Sequence, residues 1–248
     1  MKTRLAAVLA LVAAPLTAET IGFAEYAGPT ARYAHGVLGD AIEWTRLEIT
    51  TGNAQDRAGL LTDLVQRRNV YTFNLPLDRV FEDIAPRLAD VDGDGKPEVI
   101  VVETQVDTGA QLAIYDETGK IAATPHIGTR NRWLAPIGAA DLDGDGHIEI
   151  AYIDRPHLAK TLRVWRFKDG ALTEIVAGSG LTNHRIGEDF ISGGIRECGQ
   201  GPEMITANAN WSRVVATRLE DGTLRGTDLG AFAGQGSFDD ALACRPLS

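Results

Sequence analysis

The chain has little of several things, and each shortage narrows its possible roles. It holds only two cysteines among 248 residues, so it can form at most one disulfide, Cys198–Cys244, and carries no Cys-x-x-Cys pair. Positive charge is scarce too: the formal net charge is −10, and an acidic surface repels phosphate backbones, which argues against a nucleic-acid partner. Beyond the first eighteen residues no apolar run approaches the roughly 18 or more residues that a membrane-spanning helix needs. Catalytic signatures are missing as well. There is no Gly-x-Ser-x-Gly elbow, no His-Glu-x-x-His and no phosphate loop, which weakens an enzyme reading, although a triad need not be local in sequence.

What is present begins with a leader. The stretch MKTRLAAVLALVAAPLTA places Lys2 and Arg4 before an apolar run and ends in small residues at Ala18, the pattern of a secretory signal. Cleavage there predicts a periplasmic or secreted protein of residues 19–248, large enough for one sizeable core and small for two, hence a single domain. No cysteine follows the apolar run to accept a lipid. An oxidising compartment lets Cys198 and Cys244 persist as a bridge. Loss of Lys2 and Arg4 takes the formal charge from −10 to −12.

Part of that acidity is concentrated. DVDGDGKPEV starts at Asp90 and DLDGDGHIEI at Asp141, so eight of the 34 acidic residues lie in two short loops. The flanks repeat with them. IAPRLAD and LAPIGAAD precede the loops; VIVV and IAYI follow, each succeeded by a second strand pattern and a polar turn. The unit is strand, acidic loop, strand, strand, turn. A fainter copy places Ile195, Glu197 and Gly199 where Asp141, Asp143 and Asp145 stand, with Glu203 for Glu149. Another, upstream, aligns Asp40 and Glu48 with Asp90 and Glu98. About four modules result, the outer two with degraded loops. Repetition at this spacing predicts an all-β, β-propeller-like array of about four antiparallel modules, either an incomplete ring or a four- to five-bladed one. Residues 54–68 carry a short helical stripe and read as an insertion on the first module. The tail segment SFDDALAC is expected to add a closing strand, which a Cys198–Cys244 bridge would pin to the fourth module.

Alternating aspartates in a tightly curled loop can converge on one point, and glycines at 93, 95, 144 and 146 permit the positive φ that such curling needs. Asp90, Asp92, Asp94 and Glu98, with the carbonyl of Lys96, would supply six or seven oxygens; Asp141, Asp143, Asp145, Glu149 and the carbonyl of His147 would do the same. That donor set suits Ca²⁺ rather than zinc or magnesium. An EF-hand would need its bidentate glutamate at position 12, where Val101 and Tyr152 stand. The segments ADVDGDGKPEVIVV and ADLDGDGHIEIAYI resemble the calcium loops of the FG-GAP/VCBS repeat family, which also builds the integrin α-subunit propeller. The resemblance implies propeller blades with calcium between the first two strands of a blade, and binding of proteins or sugars at the cell surface.

In such an array the chain crosses between modules at the end opposite the acidic loops. The crossings are rich in polar and aromatic groups, and Arg130, Asn131, Arg132, Trp133, His184, Arg185 and Asp189 are the candidate ligand-binding residues there, Trp133 as a platform and the arginines as donors to a carboxylate or sugar. Inter-module hydrogen bonding is the structural alternative. The first functional reading is an exported, non-catalytic, calcium-binding repeat protein with a protein or carbohydrate partner. The second is a periplasmic polysaccharide hydrolase or lyase acting through the crossing-loop carboxylates, the pairs Glu82–Asp83 and Glu188–Asp189, together with His184.

Overall fold

The structure is a computed structural model that describes residues 19–52 and 69–247. The leader and the helical stripe at 54–68 lie outside the described residues. Among the described residues, seventeen strands and one short helix follow one another. β1 (Thr20–Thr30), β2 (Glu43–Gly52) and β3 (Asn69–Asn74) make the first module, with β2 in the middle. β4 (Arg79–Phe81), β5 (Arg87–Ala89), β6 (Glu98–Gln105), β7 (Gly109–Asp116) and β8 (Gly119–Ala123) make the second. β9 (Leu134–Ala140), β10 (Ile148–Asp154), β11 (Thr161–Lys168) and β12 (Ala171–Ser179) form the third as a four-stranded antiparallel meander. The fourth comprises β13 (Leu181–Thr182), β14 (Gly194–Glu197), β15 (Pro202–Asn208), β16 (Arg213–Glu220) and β17 (Thr223–Ala231). The result is an all-β, propeller-like array.

The second strand of each module explains why the modules stack. β6 is buried along almost its whole length, and its alternating side chains serve two different cores. Val99 and Val101 pack with Leu47 and Ile49 of the first module and with Phe81 of β4, while Ile100 and Val102 pack with Leu134, Ile150 and Tyr152 of the third. β10 repeats the arrangement one module on: Ile150 and Tyr152 face back, Ala151 and Ile153 face forward to Met204 and Leu219. Period-two alternation turns a continuous apolar run into two buried faces, and each such Val or Ile side chain contributes about 1.5–3 kcal/mol by leaving water.

Two expectations are corrected. The modules are not four separate sheets: β2 and β4 pair at Trp44–Phe81, and this joins the first module to the second in one eight-stranded sheet. The first module, whose copy of the loop is degraded in the sequence, has no acidic hairpin bend: Asp40 only caps a turn, accepting from the Ile42 amide, and Glu48 stands inside β2 beside Arg46. The tail adds no closing strand either. Residues Gln235–Leu242 are the helix α1, whose Phe238 and Ala241, three apart and thus on one helix face, cover Ile205, Ala207, Val214 and Ala216 on the far side of the last sheet. Among the described residues this apolar face is covered by a helix and not by another sheet. No helix among the described residues is long and apolar enough to cross a membrane.

The expected bridge is present. Cys198 and Cys244 are disulfide-bonded across a separation of 46 residues, tying the segment after α1 to the β14–β15 bend. Replacing both with serine is expected to lower the unfolding free energy by about 2–4 kcal/mol, read as a shift of the urea midpoint at constant m-value, with dithiothreitol producing the same shift in the native chain.

Candidate functional site

The bends that lead into β6, β10 and β15 lie at one end of the array. In the first acidic loop Asp90 accepts hydrogen bonds from the Gly93 and Gly95 amides (2.8 and 2.9 Å), Asp92 Oδ1 from Asp94 N (3.0 Å) and Asp94 Oδ1 from Lys96 N (2.8 Å). Glu98 reaches back so that its Oε2 accepts from Val91 N at 2.8 Å. The second loop copies this scaffold. Asp141 takes Gly144 and Gly146 (2.7 and 3.0 Å), Asp143 takes Asp145 (3.4 Å), Asp145 takes His147 (2.9 Å) and Glu149 takes Leu142 (2.8 Å). The glycines have φ between 77° and 87°, where a Cβ would be strained.

Carboxylates are thereby brought together. Asp90, Asp92 and Asp94 offer oxygens within 4.8 Å of one another, as do Asp141, Asp143 and Glu149. An all-oxygen, multiply anionic donor set of this kind fits a hard divalent cation and not a nitrogen- or sulfur-seeking one. In the first loop the cost of crowding is visible: burial first, then repulsion from Asp92, Asp90 and Asp94, pushes the Glu98 carboxyl up to about 7. In the second loop Arg166 reaches in and touches Asp143, Asp145 and Glu149. The fourth module keeps the bend without the aspartates. Glu197 Oε1 accepts from Gly199 and Gly201, the disulfide holds Cys198, and Glu203 is gripped by Arg196 and Arg218.

The opposite end holds a cavity of about 270 Å³, bordered by His35, Asn131, Arg132, Trp133, Arg155 and His157. It is separated from the acidic bends by the length of β10, seven residues or roughly 23 Å at 3.3 Å per residue. The structure brings Asn131, Arg132 and Trp133 to this cavity as the sequence suggested. Trp133 is a wall and not an open platform: it is 2% exposed, its indole N–H donates to the Glu82 carbonyl at 2.8 Å, and His184 meets it edge-on. His184 sits one hydrogen bond behind the lining. Arg130 and Asp189 are exposed, and Arg185 lies over the Trp211 and Phe232 rings at 4.2 and 4.9 Å.

Valence sets the proton positions among the histidines. The Glu188 carbonyl can only accept, so His184 Nε2 carries the proton; its Nδ1 then accepts from His157 Nε2 at 2.9 Å. His157 is left with a bare Nδ1. Burial, followed by His184 and His35, drives the His157 pKa down to about 4, so it is neutral at physiological pH. His35 Nδ1 is bonded to buried Glu82, which also accepts from Thr104 Oγ1 at 2.6 Å. Neither His35 nor His157 stood out in the sequence, because 122 residues separate them and neither lies in a motif. Asp83, proposed with Glu82 as an acid–base pair, is held bidentately by Arg87 at 2.7 and 3.1 Å and by the Tyr26 hydroxyl at 3.1 Å.

Residues 90–152 match the family model of the FG-GAP-like repeat. No curated protein and no solved structure shows significant similarity to the chain. The FG-GAP-like segment runs from the first aspartate of one acidic loop through β10, so it contains both loops and the strand pair that carries each core to the next module. The resemblance drawn from those loops therefore holds over the segment.

Near the cavity a second crowded group makes a prediction. Glu43 is 2% exposed, and burial, then Glu82, Asp40 and Asp83, push its carboxyl up from 4.5 to about 9. The folded state holds that proton more tightly than the unfolded chain, so the stabilisation is complete below about pH 4.5 and declines as pH rises towards 9. Chemical denaturation between pH 7 and 9 should show stability falling, and Glu43→Gln should flatten that slope.

Proposed function

We propose that the chain is an exported, calcium-stabilised, propeller-like binding module: the loop at 90–98 holds a structural Ca²⁺, and the opposite end receives a protein or carbohydrate partner. The observation that carries this reading is the first loop itself, where three aspartates converge beside the buried Glu98 with only Lys96, 3.5 Å from Asp94, as a counter-charge among the described residues. Four carboxylates at such range repel one another unless a cation sits among them. Asp90, Asp92, Asp94, Glu98 and the Lys96 carbonyl would hold the ion. When bound it would clip β5 to β6, the strand that two cores share. The disulfide and the expected leader support export.

The cavity supports the partner half of the reading. Arg132, the histidines His35 and His157, and Arg155, which also holds Asp154, gather in an otherwise acidic chain, beside an apolar wall of Trp133, Val37 and Leu158. That chemistry suits one sugar ring bearing a carboxylate, or an acidic side chain of a partner protein. Polysaccharide hydrolysis or elimination ranks second, because it needs carboxylates facing a cleft. Glu82 and Asp83 are instead turned inward and paired, and Glu188 accepts from the Arg185 amide.

Two measurements test the reading. Exhaustive chelation should lower the melting temperature, and Ca²⁺ at 100 times its dissociation constant should restore about 2.7 kcal/mol per occupied site; in Asp92→Ala the melting curve should ignore chelator. A curve unchanged by chelation in the native chain sinks the calcium assignment. On an array of acidic and neutral glycans the native chain should retain an acidic sugar, with loss of about tenfold or more in affinity in Arg132→Ala, as expected for removing one charge-assisted contact.

A further inference from the structure

The geometry points to a functional inequality between the two acidic loops: Arg166 takes the place of the divalent ion in the loop at 141–149, so the chain binds its ion at 90–98 and leaves the second loop closed by its own guanidinium. The inference rests on the calcium reading above and concerns which residues of this chain admit the ion.

The decisive detail is which oxygens Arg166 uses. In the second loop Asp141 spends both oxygens on the backbone scaffold, and the other three carboxylates one each: Asp143 Oδ1 on Asp145 N, Asp145 Oδ1 on His147 N, Glu149 Oε2 on Leu142 N. The oxygens that remain are those an ion would need. Arg166 takes all three, with Nη2 on Asp143 Oδ2 (2.6 Å), Nη1 on Asp145 Oδ2 (2.8 Å) and Nε on Glu149 Oε1 (2.6 Å). A guanidinium presents its donors in one rigid plane, which suits such a three-way grip. In the first loop the corresponding oxygens, Asp92 Oδ2 and Glu98 Oε1, have no hydrogen-bond or ion-pair partner among the described residues, and Asp94 Oδ2 has only Lys96 at 3.5 Å.

Strand register explains the difference. β10 and β11 pair Glu149 with Arg166. In the second module Val99 pairs with Tyr115, which puts Asp116 opposite Glu98; an aspartate cannot neutralise the loop, and this one instead caps its own turn by accepting from Thr118 N and Gly119 N at 2.6 and 3.0 Å. In the fourth module Met204 pairs with Thr217, which puts Arg218 opposite Glu203, and Arg218 Nε meets Glu203 Oε1 at 2.8 Å. An arginine in this register thus serves as the bend's cation even where the aspartates are gone. Asp, Arg and Arg at one structural position divide the bends into one that needs an external ion and two that do not.

The test is Ca²⁺ stoichiometry of the full mature chain after chelation, by equilibrium dialysis and calorimetry, with circular dichroism checking the fold of each variant. The native chain should bind one ion tightly, and Asp92→Ala should abolish it. Arg166→Gln should bind two, the second lost in Arg166→Gln combined with Asp143→Ala, and Arg166→Lys should give a weaker gain because one ammonium cannot hold three carboxylates. Should Arg166→Gln fail to fold, Asp116→Arg supplies the converse: it should close the first loop and reduce the native stoichiometry to none. Two equivalent sites in the native chain, or tight binding that survives Asp116→Arg, would overturn the inference and leave the calcium reading intact. Absence of Ca²⁺ binding in the native chain and in Arg166→Gln alike would remove both.

Discussion

The structure depends on strands whose two faces are both buried. β6 and β10 have no side that can face water: Val99 and Val101 belong to one core and Ile100 and Val102 to the next, and the same division recurs from Ile150 to Ile153. A sheet built on such a strand cannot stand alone, so each module is completed only by its neighbours, and the array must end in something that is not another module. At the carboxy-terminal end that something is α1, placed by Phe238 and Ala241 over Ile205 and Ala207. At the other end the first module gives up independence altogether and joins its neighbour's sheet through Trp44 and Phe81.

Buried central strands impose a second constraint at their starts. The bend that leads into each must be tight, and the glutamate at its end is buried, so the bend needs a counter-charge or a covalent tie. Three solutions occur in one chain. Module two gathers Asp90, Asp92, Asp94 and Glu98 with scarcely any internal cation; module three inserts Arg166; module four uses Arg196 and Arg218 on Glu203 together with the Cys198–Cys244 bridge. The degraded fourth loop is thus a repeat in which the work of the aspartates has passed to other bonds.

The cavity at the far end follows from the same stacking. Strand ends that converge from several modules leave a space lined by segments remote in sequence, and the polar groups there must satisfy one another. Glu82, Trp133, His35, His157 and His184 form such a set, with Glu82 accepting from Thr104 and its carbonyl from Trp133. Burial keeps His157 uncharged and leaves its Nδ1 bare, which gives the cavity an acceptor beside the donors of Arg132 and Arg155.

How much of this was legible beforehand depends on range. The acidic bends, the strand that follows each, the all-β repeat and the Cys198–Cys244 pairing could be read directly, because alternating aspartates, period-two apolar runs and a lone pair of cysteines are local or countable signals. The helix at Gln235–Leu242 could not, since its eight residues carry only three apolar contacts, Phe238, Ala241 and Leu242, and the need for a cap arises from the sheet it covers. Nor could Arg166: seventeen residues separate it from Glu149, and only hairpin register decides that Arg166 stands opposite that glutamate while Asp116 stands opposite Glu98. Sequence alone therefore determined where carboxylates gather and what repeats. Tertiary structure decided which gathering is already neutralised, because cross-strand neighbours are set by how β-sheets pair and not by distance along the chain.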